Sequence, residues 1–277
     1  MPLERMVSLG ERMEPSHFSP RPVRRATRFS LPAFPFPRGC VMNSRERNRS
    51  QVSSLPFFEP EPSVLSDFKR LSTSLVCDAI DALKLRGGCM EMCVRPMWPG
   101  ARFAGVAATA EFVPSTKSGK RDVQDLLALL GQLPPQRAMV IGMSGLCLAA
   151  GLGYLTSRVA RQLGCAGAVV DGPVRDVEAI KALGFPVFAR GCVASSSRGR
   201  MGLSTTQQPV TCGAMLVFPG DVIVGDESGV AVVPREHIAE VLAEAKNQAG
   251  ARLLWQEQLD NGLHPMEFIR RRMETQR

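Results

Sequence analysis

The residue types best suited to chemistry cluster in Gly164-Cys-Ala-Gly-Ala-Val-Val-Asp-Gly-Pro-Val-Arg-Asp176. Its apolar run has the texture of a buried strand that ends at Asp171-Gly172, turns at Pro173 and delivers Arg175 and Asp176 to the start of the next helix. In open α/β sheets, ligands lie at this carboxyl end of the strands. A guanidinium there presents a planar fork that matches a carboxylate, and an adjacent aspartate holds a hard divalent cation through oxygen. The same two residues have a structural reading, with Asp176 as the N-cap of a helix over Val177–Leu183 and Arg175 paired to a surface acid. The residues alone leave both open.

A second element, Gly151-Leu-Gly-Tyr-Leu-Thr156, joins a strand ending at Ile141 to the following helix. Glycine ahead of a helix start leaves backbone N–H groups able to receive an anionic group, although a tight turn also demands glycine. No Gly-Lys-Ser/Thr follows, so this is not a Walker loop, and the third glycine of a dinucleotide fingerprint is missing. A third element, Phe218-Pro-Gly-Asp-Val-Ile-Val-Gly-Asp-Glu-Ser-Gly-Val-Ala-Val-Val-Pro234, repeats Gly-Asp between short apolar runs, the mark of hairpin turns. It is read as structural, with Asp226 and Glu227 within reach of a neighbouring site.

Other chemistries find little support. The three histidines, His17, His237 and His264, leave the long middle of the chain without an imidazole, which excludes His-rich zinc sites and argues against a Ser-His-Asp triad. Eight cysteines contain no CxxC pair, and Cys89 with Cys93 has no second pair to complete a zinc site. Cysteines set among apolar residues, as in Leu75-Val-Cys77, behave as small hydrophobes, so a reducing, cytoplasmic setting is expected.

The elements that must position Arg175 and Asp176 follow from periodicity. Val64–Ser72 and Ser74–Leu85 have helical spacing, Arg102–Val113 alternates as a strand, and Val123–Leu133 reads as a leucine-rich helix. Strand Ala138–Ile141, a helix from Gly153 to Leu163, strand Ala166–Val170, helix Val177–Leu183 and strand Pro186–Ala189 then alternate, as βαβ units in a parallel layer do. From Pro209 the texture turns to strands bounded by turns: Val210 to Phe218, Asp221 to Val224, and Gly229 to Pro234. A long helix from Arg235 to about Leu259 follows, with Ile238, Val241, Leu242 and Ala245 as its apolar stripe. The expected class is α/β, with βαβ units, a turn-rich β segment and a long C-terminal helix.

Charge and composition bound the rest. The net charge of +8 resides in the first fifty residues, where ten Lys and Arg meet four Asp and Glu, while the remainder has twenty-four against twenty-two. A nearly neutral body argues against a nucleic-acid partner, as does an aromatic share of 6% with two Trp and one Tyr. Residues 1–62, with ten of the twenty-one prolines, read as a basic, disordered leader, with Met42 a possible start. Residues 63–263 read as the folded domain and 264–277 as a tail in which Arg270-Arg-Arg272 is a solvated face. The twenty uncharged residues between Arg137 and Arg158 are long enough to cross a bilayer. Five interrupting Gly and Ser residues make them a strand, a loop and a helix start instead, so no membrane partner is expected.

Taken in order, Gly-Tyr-Leu, Ala-Gly-Ala-Val-Val-Asp-Gly-Pro-Val-Arg-Asp, Phe-Pro-Val-Phe-Ala-Arg-Gly, Pro-Val-Thr-Cys-Gly and Pro-Gly-Asp-Val-Ile-Val-Gly-Asp-Glu-Ser-Gly-Val resemble the RraA-like family over roughly residues 70–245. That family includes 4-hydroxy-4-methyl-2-oxoglutarate aldolases and a regulator of ribonuclease activity. The resemblance implies a swivelling-type β/β/α domain assembling as a homotrimer or a pair of trimers. It implies further that Arg175 holds a small 2-oxo acid, that Asp176 coordinates Mg²⁺ or Mn²⁺, and that N–H groups of Gly153, Tyr154, Leu155 and Thr156 receive the substrate carboxylate. Arg175 and Asp176 are then the catalytic pair of a metal-dependent aldolase releasing pyruvate, with oxaloacetate decarboxylation as a side activity. The other implied role is a non-catalytic regulator of a partner protein. No Schiff-base lysine is needed, and none lies between Lys120 and Lys181. One position departs from the aldolases: an aspartate belongs twenty-one positions before the Arg-Asp pair, and Tyr154 stands there. A phenol is roughly a millionfold weaker acid than an aspartic side chain, so the substitution removes an anion that would orient metal-bound water. Alternatively, Tyr154 packs at the helix start while neighbouring acids compensate.

Overall fold

Near-continuous apolar runs along the central strands, buried at every position of β4 and β5, dictate two covered faces. The computed structural model describes residues 59–115 and 120–275, and the basic leader expected over residues 1–62 lies, up to residue 58, outside them. In chain order the elements are α1 (Pro62–Arg70), α2 (Thr73–Ala82), β1 (Gly88–Cys89), β2 (Arg95–Pro96), β3 (Phe103–Pro114), α3 (Lys120–Gln132) and β4 (Arg137–Gly142). Next come α4 (Tyr154–Gln162), β5 (Gly167–Val174), α5 (Val177–Leu183), β6 (Val187–Cys192), β7 (Met201–Thr206), β8 (Val210–Cys212) and β9 (Met215–Val217). Then follow β10 (Val222–Asp226), β11 (Gly229–Val233), a turn of 3₁₀ helix at Arg235–His237, α6 (Ile238–Asp260) and α7 (Pro265–Thr275).

The expected βαβ order is present: β3, β4, β5 and β6 pair parallel through α3, α4 and α5. Antiparallel β10, β11 and β1 extend the sheet beyond β3, and β2 closes its other edge against β6. Side chains at alternate positions go to opposite faces. Met139, Ile141, Ala168 and Val170 meet the buried leucines of α3 and Ile180 of α5. On the same face but at the other end, Val106, Val222, Val224 and Val233 pack against α1, α2 and the apolar stripe of α6. The intervening residues, Val140, Val169, Ile223 and Val232, face the opposite way onto the β8–β9 hairpin through Val210, Cys212 and Val217. The layers are therefore helices, a large mixed sheet and a small β hairpin, an α/β fold with a long C-terminal helix.

Three departures from the sequence pattern have physical causes. Val210 to Phe218 is a hairpin rather than one strand, because Gly213 and Ala214 both take positive φ, 54° and 60°, and reverse the chain. β7 pairs with the outer half of β3 and is buried only at Met201 and Gly202, so its short Met-Gly-Leu-Ser-Thr-Thr sequence carried no alternating strand signal. α7 lies within the segment expected as a tail and packs on α6 by an edge-to-face contact of Trp255 with Phe268, at 5.2 Å. The run between Arg137 and Arg158 is β4, a loop and the start of α4, and no helix among the described residues is long and apolar enough to cross a membrane.

Candidate functional site

The loop ahead of α4 and the end of β5 are brought together by main-chain bonds. Gly151 N–H donates to the Pro173 carbonyl at 2.9 Å and Arg175 N–H to the Leu152 carbonyl at 3.0 Å, so Leu152 pairs in parallel with Val174 as a short extra strand. Gly153 and Tyr154 thus lie against Arg175 and Asp176 at the carboxyl end of the parallel strands, where an α/β sheet presents ligand sites. Arg175 Nε is 3.7 Å from Asp176 Oδ2, and both side chains are about two-fifths exposed.

Asp176 does not cap the helix it precedes. It takes a left-handed conformation (φ 60°, ψ 35°), and its side chain makes no bond to α5. Its Oδ2 instead accepts the Tyr154 N–H at 3.2 Å, across the chain, and so holds the first residue of α4. Aspartate tolerates this region better than most residues, and strained backbone of this kind clusters at functional sites. The surface acid expected for Arg175 is Asp176 itself.

The α4 start has the other expected residues. Leu155 and Thr156 are in the first turn, whose N–H groups have no carbonyl behind them in the helix, with Leu155 exposed and Thr156 half-buried. Tyr154 is half-buried against the core under α4, and its hydroxyl accepts from Arg158 Nη1 at 3.2 Å. An open groove of about 700 Å³ leads away from Tyr154 between α4 and α5. No cluster of three metal-ligating side chains occurs among the described residues. Asp176 alone still fits Mg²⁺, which keeps several waters and commonly takes one or two carboxylates with substrate oxygens.

A neighbouring network escaped the sequence. Buried Asp171 sits where β5 slips register against β6, and its Oδ1 accepts Arg190 Nε at 2.6 Å while its Oδ2 accepts Gly145 N–H at 3.2 Å. Arg190 also donates to Glu91 Oε2 and Cys93 Sγ, each at 2.7 Å. Burial works to lower the Arg190 pKa, but the bonds to Asp171 and Glu91 prevail and raise it. The Cys93 and Arg190 bonds hold the Glu91 carboxyl below its ordinary range. The cluster ties the β4–α4 loop to β5 and β6, and Cys93 is a member of it. The only sequence signal was an arginine closing the Phe-Pro-Val-Phe-Ala-Arg run.

The acids of the third element are structural. Asp221 is fully buried and accepts both Arg86 Nη atoms, at 3.1 and 2.9 Å, with the N–H groups of Phe218 and Arg235. Asp226 accepts from Thr73 N, Thr73 Oγ1 and Ser228 N, and Glu227 from Gly100 N.

The RraA-like family, described as Aldolase/RraA, matches residues 73–232. A protein of Halalkalibacterium halodurans named "Putative 4-hydroxy-4-methyl-2-oxoglutarate aldolase" is 33% identical over 190 residues, covering 69% of this chain and 85% of its own. An uncharacterized protein from Pseudomonas syringae pv. tomato superposes with a TM-score of 0.67 at 27% identity, over 76% of this chain and 99% of its own. Streptomyces coelicolor RraAS2, described as an unusual member of the RNase ES inhibitor RraA protein family, gives 0.66 at 24%, over 72% and 100%.

Proposed function

The chain belongs to the RraA-like family, and from that premise we propose that it is a divalent-metal-dependent lyase of the aldolase type. Its substrates are 4-hydroxy-2-oxo diacids of the 4-hydroxy-4-methyl-2-oxoglutarate kind, cleaved to pyruvate, with oxaloacetate decarboxylation as a second reaction. The observation that carries this reading is the Arg175–Asp176 pair, 3.7 Å apart and closed over Gly153 at the start of α4. Arg175 offers its fork to the 2-oxo acid's carboxylate, and the N–H groups of Leu155 and Thr156 meet the same charge at the positive end of α4. Asp176 would hold Mg²⁺ or Mn²⁺, and a divalent cation there would supply Lewis-acid chemistry. Asp176 also accepts the Tyr154 N–H, so the residue that would hold the metal also sets the position of the α4 start.

The proposed assembly is a homotrimer or hexamer in the cytoplasm, where a neighbouring subunit can contribute an acid. Residues 1–62 are proposed as a leader outside this unit and 63–263 as the domain. A second reading, a non-catalytic regulator binding a partner protein, is favoured by Tyr154 alone, since a phenol leaves the site one carboxylate short.

A coupled pyruvate-release assay with Mg²⁺ or Mn²⁺ decides between them. Release should stop with a chelator and with Asp176→Asn, which keeps the left-handed backbone and the Tyr154 bond while removing the charge. Tyr154→Asp should raise turnover roughly 10–100-fold, the scale of an outer carboxylate that orients a metal site. No release from any hydroxy-oxo acid or oxaloacetate, with Tyr154→Asp equally silent, leaves the regulator.

A further inference from the structure

We infer that the groove between α4 and α5 receives the far end of the ligand and that Arg158 reads a second anionic group there, a specificity determinant separate from Arg175 and Asp176. The inference rests on the oxo-acid reading of that pair. Tyr154, Arg158, Arg161 and Gln162 form one wall of the groove, and α5 lines the other with Ala179 and Ala182. Tyr154 belongs to both places: its N–H is held by Asp176 and its ring walls the groove. Arg175 and Asp176 do not line the groove themselves, so a ligand gripped at Arg175 would reach it by passing Tyr154. About 700 Å³ is within the range of pockets that enclose whole small molecules, far more than a three-carbon oxo acid fills.

The charge of this wall has one sign. No acid lines the groove, whereas two arginines do. Arg161 is committed to the Leu183 carbonyl. Arg158 donates to the Tyr154 hydroxyl at 3.2 Å, a neutral acceptor that orients the guanidinium without cancelling its charge. It has no carboxylate partner among the described residues. Four residues along a helix advance about 6 Å, so Arg158 stands one turn beyond the α4 start, the scale that separates the two acid groups of a short oxo diacid. A planar fork favours carboxylate or phosphate alike; the oxo-acid reading selects carboxylate. Tyr154 is thus a positioning residue for Arg158.

Calorimetric titration of the full chain with Mg²⁺ tests this, comparing pyruvate, with one acid group, and 2-oxoglutarate, with two. Neither has a 4-hydroxyl group to cleave. The wild-type chain should bind 2-oxoglutarate at least about tenfold more tightly, because a hydrogen bond to a charged group contributes that much or more. Arg158→Ala should cut the preference about tenfold, Arg158→Lys should keep part of it, and Tyr154→Phe should erode it by loosening Arg158. Arg175→Ala should weaken both acids together. Inorganic phosphate should compete no better with 2-oxoglutarate than with pyruvate; stronger competition would assign the subsite to phosphate esters and overturn the diacid. Equal affinities in the wild type, no binding of either acid, or an Arg158→Ala loss shared equally by both would also sink the inference. Selective binding without pyruvate release from any hydroxy-oxo acid refutes the lyase and keeps the subsite. A working lyase indifferent to Arg158→Ala does the reverse.

Discussion

Gly153 has a φ of −144°, extended backbone open to any residue, so space and not conformation demands glycine there. A Cβ would stand 3.0 Å from Arg175 Nε, 3.1 Å from its Cγ and 3.2 Å from Asp176 Oδ2. Gly153→Ala should therefore push both candidate side chains aside and, on the proposed reading, weaken pyruvate binding about 10–100-fold, the loss of one charge-assisted contact. The melting temperature should barely move, since the displaced groups are half-exposed; calorimetry beside a thermal melt checks both. At this scale the sequence was informative where chemistry and spacing coincide. Arg175, Asp176 and the Gly153 loop were separable as candidates and do converge. What residue types could not reveal was that Asp176 reaches Tyr154 rather than its own helix, because a left-handed aspartate looks like any N-cap in sequence. The Asp171–Arg190–Glu91 cluster was hidden for a related reason. Its members come from three separate segments, and only the folded sheet makes them neighbours.

At the level of elements, α2 is pinned to the sheet by one carboxylate. Asp226 closes β10 and accepts the Thr73 N–H at 2.9 Å and its hydroxyl at 2.6 Å, with Arg102 at 3.3 Å. Burial raises the carboxyl's pKa, but the bonds from Thr73 and Ser228 with the Arg102 charge outweigh it and hold it below the ordinary value. A carboxyl depressed on folding stabilises the fold above its unfolded pKa, and that contribution fades as pH falls through the folded value. Asp226→Asn should cost about 1–3 kcal/mol in urea unfolding near neutrality, and the deficit should shrink in acid. A deficit that grows in acid would contradict the sign. α6 was legible from its apolar stripe, and β4 from its short apolar run. The β8–β9 reversal and β7 were not: two positive-φ residues break an apolar run, and a half-exposed edge strand has no need of an apolar pattern.

The whole molecule divides its stability unevenly. The three apolar clusters draw on segments from Leu65 to Ala245, and no described residue after Ala245 is buried. The end of α6 and all of α7 form an arm joined by the Trp255–Phe268 contact. Stopping the chain after Asn261 should leave the cooperative urea transition within about 1.5 kcal/mol of the full chain, the scale of one aromatic pair, while changing Trp255 fluorescence. A truncated chain that fails to fold would show that the arm supports the core. The parallel βαβ layer was readable from the alternation of short strands and helices, whereas the arm was not, because a helix with no buried face leaves little trace in hydropathy. The chain's lone tyrosine sits at the junction of α4, Asp176 and the groove. A single isotope-labelled phenol resonance would therefore watch this one location, because no other residue of the chain carries that ring.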